Sequence, residues 1–224
     1  MLKKTVLLCA IAISTSAFAD DETKVLGKSI GVWSSIWWKW SLSIPASMNP
    51  MKDNSGANCS VGQKGKVWFL AGNFAAADNT PVVRNCTIPA KKYILFPIAN
   101  SIWVQTPQDD PLYTEPDFRR LANENLPQSI GGELEATLDD NRIIFNPKTP
   151  ITQSQSPIFT VVFPSDNVFG VDASLLTGSP IVSDGYWVML PPLSVGDHVL
   201  HFRAGKDATL TQDITYHLTV KKGK

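Results

Sequence analysis

Glu133-Leu134-Glu135-Ala136-Thr137-Leu138-Asp139-Asp140-Asn141-Arg142-Ile143-Ile144-Phe145 is the stretch on which the fold turns. Leu134, Ala136 and Leu138 alternate with Glu133, Glu135 and Thr137, the period of a strand with one apolar face. Asp139-Asp140-Asn141 has turn chemistry, and Arg142 to Phe145 returns as a second strand. The same rhythm runs to the end of the chain. Ile158 to Phe163 and Gly185 to Leu190 read as strands, Val195-Gly196-Asp197 as a turn after Pro191-Pro192, and His198–Arg203 with Ile214–Val220 as a closing hairpin. Short strands separated by turn signals predict a mainly β fold, β-sandwich or jelly-roll-like, with an immunoglobulin-like or jelly-roll-like part from about residue 133.

Upstream, Lys66–Ala71 is short, β-prone and flanked by Gly65 and Gly72. Pro81–Ile88 is a further strand, and Lys92–Phe96 is apolar on both faces and ends at Pro97. Asn100–Gln105 reads as another strand, and the proline-rich Thr106–Pro116 as a loop. Glu115–Leu126 predicts one short helix, capped by Thr114 with Pro116 in its first turn. An N-terminal amphipathic, tryptophan-rich helix is predicted over Thr23–Ile44. Leu26, Ile30, Trp33, Trp37 and Trp40 form one stripe, while Lys24, Lys28, Ser35 and Lys39 lie opposite. Pro45 sits just past its end.

The first residues have the order of a secretory signal. Lys3 and Lys4 precede an apolar run to Ile13, and small residues then lead to Ala17-Phe18-Ala19, an A-x-A site. The run is shorter than the ~20 residues that span a bilayer. Residues 1–19 are therefore expected to be a signal peptide, and 20–224 one integrated mature domain without a membrane span, periplasmic or secreted. Cys9 leaves with the signal, so Cys59 and Cys86 remain. An even number in an exported chain predicts one disulfide between them. The full chain has a formal net charge of zero and no basic stripe, which argues against a nucleic-acid footprint.

The candidate chemistry is sparse. Trp38 lies at the edge of the tryptophan stripe, which predicts a partly exposed indole that touches a ligand, for example a sugar ring. His198, His201 and His217 fall in the closing hairpin. One register pairs His198 with His217 and a slip pairs His201 with His217. Their spacing matches no strong metal motif, and no cofactor motif is present. Glu133, Glu135, Asp139 and Asp140 supply paired carboxylates around one hairpin, the raw material of a glycosidase, though alternating acids on a strand also make a solvated face. Asp109-Asp110 lacks calcium-loop spacing. There is no G-x-S-x-G nucleophile motif.

The chain resembles a group of exported bacterial proteins of uncharacterised function. The residues that carry the likeness are Trp37-Trp38-Lys39-Trp40 with Ile44-Pro45 and Asn49-Pro50, and Val67-Trp68-Phe69-Leu70-Ala71-Gly72. Cys86-Thr87-Ile88-Pro89-Ala90 with Phe96-Pro97-Ile98 follow, then Gly185-Tyr186-Trp187 with Leu190-Pro191-Pro192-Leu193, Gly196, His198 and Tyr216-His217-Leu218-Thr219-Val220. The resemblance implies one architecture over most of the mature chain and names no activity. The expected function is a non-catalytic binding or structural protein of the envelope or extracellular space, with a glycan or protein partner. The alternative is a hydrolase acting on envelope polymers through these histidines or the acids near Asp139.

Overall fold

The computed structural model describes residues 24–74, 80–109, 113–126, 133–143, 151–205 and 211–223. The expected signal peptide, Asp110, the Gly131-Gly132 break and Ile144-Phe145 lie outside the described residues. In chain order the elements are α1 (Ile30–Leu42), β1 (Val67–Phe69), β2 (Val82–Pro89), β3 (Tyr93–Val104), α2 (Glu115–Glu124), β4 (Leu134–Leu138), β5 (Asn141–Arg142), β6 (Thr152–Gln153), β7 (Ile181–Leu190), β8 (Gly196–Ala204) and β9 (Gln212–Lys221). The strands form two mixed sheets, β1-β3-β7-β6 and β2-β9-β8-β4-β5. β1 runs parallel to β3, β2 runs parallel to β9, and the other pairings are antiparallel. The fold is mainly β, as the alternation predicts.

Period-two alternation puts one face of each sheet into a shared core. Ile94, Phe96, Val188 and Leu190 come from the first sheet; Ile88, Ala136, Leu200, Phe202, Ile214 and Leu218 come from the second. The opposite face of the first sheet carries Val67, Phe69, Leu95, Trp187 and Met189, and α1 packs there. The layers are therefore helix, four-stranded sheet, five-stranded sheet and solvent. α2 covers the end of the inner face instead, with Phe118 and Ala122 against Val182.

Several elements differ from the sequence reading: β7 starts at Ile181 rather than Gly185, and β8 starts at Gly196 inside the residues read as a turn. α1 starts at Ile30 rather than Thr23, because Leu26 and Gly27 take positive φ in a tight turn and Ser29 caps the helix, accepting from the Val32 N–H at 3.3 Å. Ser35, assigned to the solvent face, is buried. Lys92–Phe96 and Asn100–Gln105 are not separate strands. β3 passes through Pro97 with a register irregularity between Pro97 and Ala99. That irregularity flips the side-chain parity, so Ile94 and Phe96 face the sandwich before it while Ile102 and Val104 join the helix side after it. Ile158–Phe163 keeps strand alternation but pairs with a strand only at Phe159 and Ile181. Its next backbone groups bond to Gly178 N–H and the Thr177 hydroxyl.

β2 holds the most consequential residue of the core. Val82, Arg84, Cys86 and Ile88 face inward, so a guanidinium stands in an apolar row, 1% exposed. It meets no carboxylate among the described residues. Nε donates to the Asp53 carbonyl at 2.7 Å; Nη1 donates to the Ala71 carbonyl and the Tyr216 hydroxyl, both at 2.7 Å; Nη2 donates to Asn73 Oδ1 at 2.9 Å. The Tyr216 hydroxyl donates in turn to the Ala71 carbonyl. Burial pushes the Tyr216 phenol up from its ordinary value, against the opposing pull of Arg84.

Beside it, Cys59 and Cys86 form the expected disulfide, with Cα atoms 5.9 Å apart. In the chain-entropy model such a link contributes about 3–4 kcal/mol. The same loop approaches β2 so closely that a Cβ on Gly56 (φ +87°) would lie 2.3 Å from the Asn85 carbonyl oxygen. Arg84→Met removes the donors and strands several buried carbonyls, so we expect it to lower unfolding free energy by about 3 kcal/mol or more. Urea denaturation with the disulfide intact reads this; a change under about 1 kcal/mol would show that the network is dispensable.

Candidate functional site

The four tryptophans of α1 are structural first. Trp37, 1% exposed, donates its indole N–H to the Leu70 carbonyl at 2.9 Å and makes edge contacts with Trp38, Trp40 and Trp187. Trp38 is not the exposed contact residue that its place beside the stripe predicts: it is 5% exposed. The helix is covered on more than one side. Ser34 and Ser41 share the arc of Trp38 and are fully buried, the Ser34 hydroxyl lies 3.3 Å from that of Ser183, and Gly31 abuts the Gln155 carbonyl. An amphipathic wheel allows for one packing surface, whereas this helix has two.

A groove of about 490 Å³ opens at the edge of α1, between it and residues 62–69. Trp33, Ile36, Trp40, Val67 and Phe69 form its apolar lining. The indole N–H groups are already used, Trp33 donating to the Val25 carbonyl at 2.8 Å and Trp40 to the Val61 carbonyl at 2.9 Å. Trp33, Trp40 and Phe69 are 9%, 8% and 6% exposed, so the rings offer the groove a narrow strip of aromatic carbon and no open face. Lys39, Lys64 and Lys66 stand around it, all exposed, and no carboxylate lines it among the described residues. The Lys92 ammonium donates to the Gly65 carbonyl at the same end.

Covalent and polar links set the groove wall. The disulfide anchors Cys59, whose carbonyl accepts from Gln63 Nε2 at 3.0 Å. The Gln63 amide also spans Phe69, donating to its carbonyl at 2.7 Å and accepting its N–H at 3.0 Å. Gly62 (φ +68°) lies against Trp40, where a Cβ would come within 3.1 Å of the ring. The lysines were legible as Lys64-Gly65-Lys66 ahead of a strand, but nothing local linked them to the helix.

The histidines settle into neither expected register. Val199 lies opposite His217, His198 opposite Leu218, and His201 opposite Thr215. His201 pairs with Asp213, Nε2 to Oδ1 at 2.8 Å. His198 and His217 nevertheless line one depression of about 380 Å³ with Asp139, Asp197 and Thr219. No group of three or more His, Cys, Asp or Glu side chains suited to a metal ion occurs among the described residues. The acids near the β4–β5 turn do not form a facing pair. Glu135 is bridged to Arg203 at 3.2 Å, while Asp139 and Asp140 occupy the turn with positive φ. Asp109 accepts from the Thr106 N–H at 2.6 Å.

Ser194, which belongs to no nucleophile motif, completes a line with His198 and Asp139. His198 Nδ1 lies 2.7 Å from Asp139 Oδ2, and Nε2 lies 3.0 Å from the Ser194 carbonyl and 3.2 Å from its hydroxyl. Asp139 Oδ1 also accepts the Val199 N–H at 2.9 Å. The only sequence hint was a serine four residues before a histidine; Asp139 joins through the β4–β8 pairing. The Asp139 hydrogen bond raises the His198 pKa above its ordinary 6.5, the Ser194 carbonyl adds to this, and partial desolvation opposes it. Desolvation pushes Asp139 up, but the His198 and Val199 hydrogen bonds outweigh it and hold its carboxyl below the usual aspartate value. The charged imidazolium, donating from both nitrogens, is the form this geometry favours, so His198 clamps the 194 turn to the 139 turn.

No family model, curated protein or solved structure matches this chain.

The sign of the pH effect follows from the two shifts. A raised histidine pKa stabilises the fold fully below the unfolded value of about 6.5, and that contribution is lost as pH rises through the folded value. A lowered aspartate pKa stabilises above about 3.9 and is lost as pH falls through the folded value. The clamp is therefore strongest between roughly pH 4 and 6.5. NMR titration of the His198 ring is expected to show a midpoint above 6.5 that falls in Asp139→Asn. A midpoint at or below 6.5 in the parent protein would contradict the clamp.

Proposed function

We propose that the protein is an exported, non-catalytic binding protein of the envelope or extracellular space, and that its ligand occupies the groove beside α1. The observation that carries the reading is the groove itself, with an aromatic and aliphatic lining, three lysines beside it and no opposing acid among the described residues. Aromatic carbon of this kind packs against the C–H faces of sugar rings, which makes a glycan the ligand class we favour. The order of residues 1–19 and the disulfide support export. No described helix is long and apolar enough to cross a membrane.

A hydrolase acting on envelope polymers is the second reading, favoured by the line from Ser194 through His198 to Asp139. In its neutral form His198 keeps its proton on Nδ1 and turns Nε2 toward the serine hydroxyl. The hydroxyl proton would pass to Nε2 while Oγ bonds to an acyl carbon. The leaving alcohol would take that proton, and water would then release the acid.

Protein isolated from its native cells is expected to begin at Asp20 by intact mass, and to show saturable calorimetric and tryptophan-fluorescence responses to glycan oligomers. Ser43 is an exposed groove residue whose hydroxyl donates to the Lys39 carbonyl at the end of α1, so Ser43→Trp should fill the groove and abolish those responses while lowering Tm by no more than a few degrees. Binding that survives this substitution sinks the groove reading. For the second reading, a fluorophosphonate should label Ser194 at alkaline pH, with labelling lost in His198→Ala; an unlabelled Ser194 at every pH removes it.

A further inference from the structure

We propose that the groove beside α1 selects an anionic glycan strand over a neutral one; the inference rests on the groove being the ligand site. Charge complementarity is its basis. Lys39 stands on the α1 side, Lys64 and Lys66 on the turn that enters β1, and Lys92 reaches the Gly65 carbonyl at that same end. The Lys39 ammonium rests 5.9 Å from the ring centroid of Phe159, which does not line the groove, so it has to swing about its flexible stem to meet a ligand there. The salt bridges among the described residues lie on α2 and on the outer sheet, and none involves these four lysines. Cations that meet no acid among the described residues, gathered around one concave apolar surface, present a local positive field that a formal net charge of zero conceals.

The geometry also disfavours a peptide in the same place. β1 is the edge strand of its sheet, and an extended peptide would add to it through outward main-chain groups. The Gln63 side-chain amide already takes both the N–H and the carbonyl of Phe69. A strand would have to displace this built-in mimic, whereas a sugar chain needs only the apolar lining and the ammonium groups. Lysine ammoniums act here as point charges, which suits carboxylates spaced along a flexible chain better than one bidentate anion.

The test compares oligogalacturonate, a neutral oligosaccharide of equal length and hexaglutamate by calorimetry on the mature protein. Oligogalacturonate is expected to bind at least about tenfold more tightly than the neutral oligomer. Its affinity should fall several-fold on raising salt from about 0.05 to 0.5 M, as screening shortens the reach of surface charge. The triple variant Lys39→Gln/Lys64→Gln/Lys66→Gln should erase the preference while leaving Tm near that of the parent. Equal affinity for charged and neutral oligomers, or a preference unchanged in the triple variant, overturns the anionic selectivity but leaves the groove reading standing. Tighter binding of hexaglutamate overturns the glycan assignment. If no probe binds, both readings fall together.

Discussion

One buried guanidinium organises the interior. Arg84 belongs to the five-stranded sheet, yet its hydrogen bonds reach the segment that leaves β1 in the four-stranded sheet, the 53 turn and Tyr216 on β9. A buried cation is costly unless its donors are satisfied. Here main-chain carbonyls and neutral side chains satisfy it, so irregular segments on two sides are held to one position. The 71–73 segment has no strand partner of its own, and this network supplies its hydrogen bonds. Gln212 extends the same tie, accepting from Asn73 N–H at 3.2 Å while its amide reaches the Ile98 carbonyl.

From that centre the disulfide and α1 set the outer surface. Cys59 is bonded to Cys86, two residues along β2 from Arg84, so the 53–63 loop is fixed at both ends of one short strand segment. Gln63 carries the constraint to Phe69, and Gly62 lets the loop lie on Trp40. The groove is thus a consequence of packing in which each wall is independently tied down. A site of this kind is preorganised, and preorganisation lowers the ordering cost of binding. The His198 clamp is a separate device at the other sheet, joining the β7–β8 connection to the β4–β5 turn through hydrogen bonds at both ring nitrogens.

The readable parts of the sequence were those where one physical pattern dominates. Leu134, Ala136 and Leu138 alternate cleanly, and Ala136 is indeed fully buried in a strand. Thr114 and Asp117 form the capping box that starts α2, close to where the sequence placed it. Trp38 was misjudged because a helical wheel counts one buried face, and the second cover over α1 comes from residues more than a hundred positions away. The histidine register was not decidable locally, since a one-residue slip is invisible to composition. Pro97 read as a strand end, yet an irregularity in the ladder carries β3 past it.

By itself the sequence determined the mainly β class, the two helices, the pairing of Cys59 with Cys86 and the set of apolar stripes. These follow from local periodicity, turn chemistry and a count of two cysteines, all of which are properties of neighbours in the chain. Only the tertiary structure decided that Arg84 turns inward, that Trp38 is covered, that Ser194 meets His198 and Asp139, and that three lysines from two distant segments surround one apolar hollow. Those outcomes depend on which strand pairs with which and in what register. Long-range packing sets that choice, because the energy separating one register from the next lies in side-chain contacts that no short window of sequence contains.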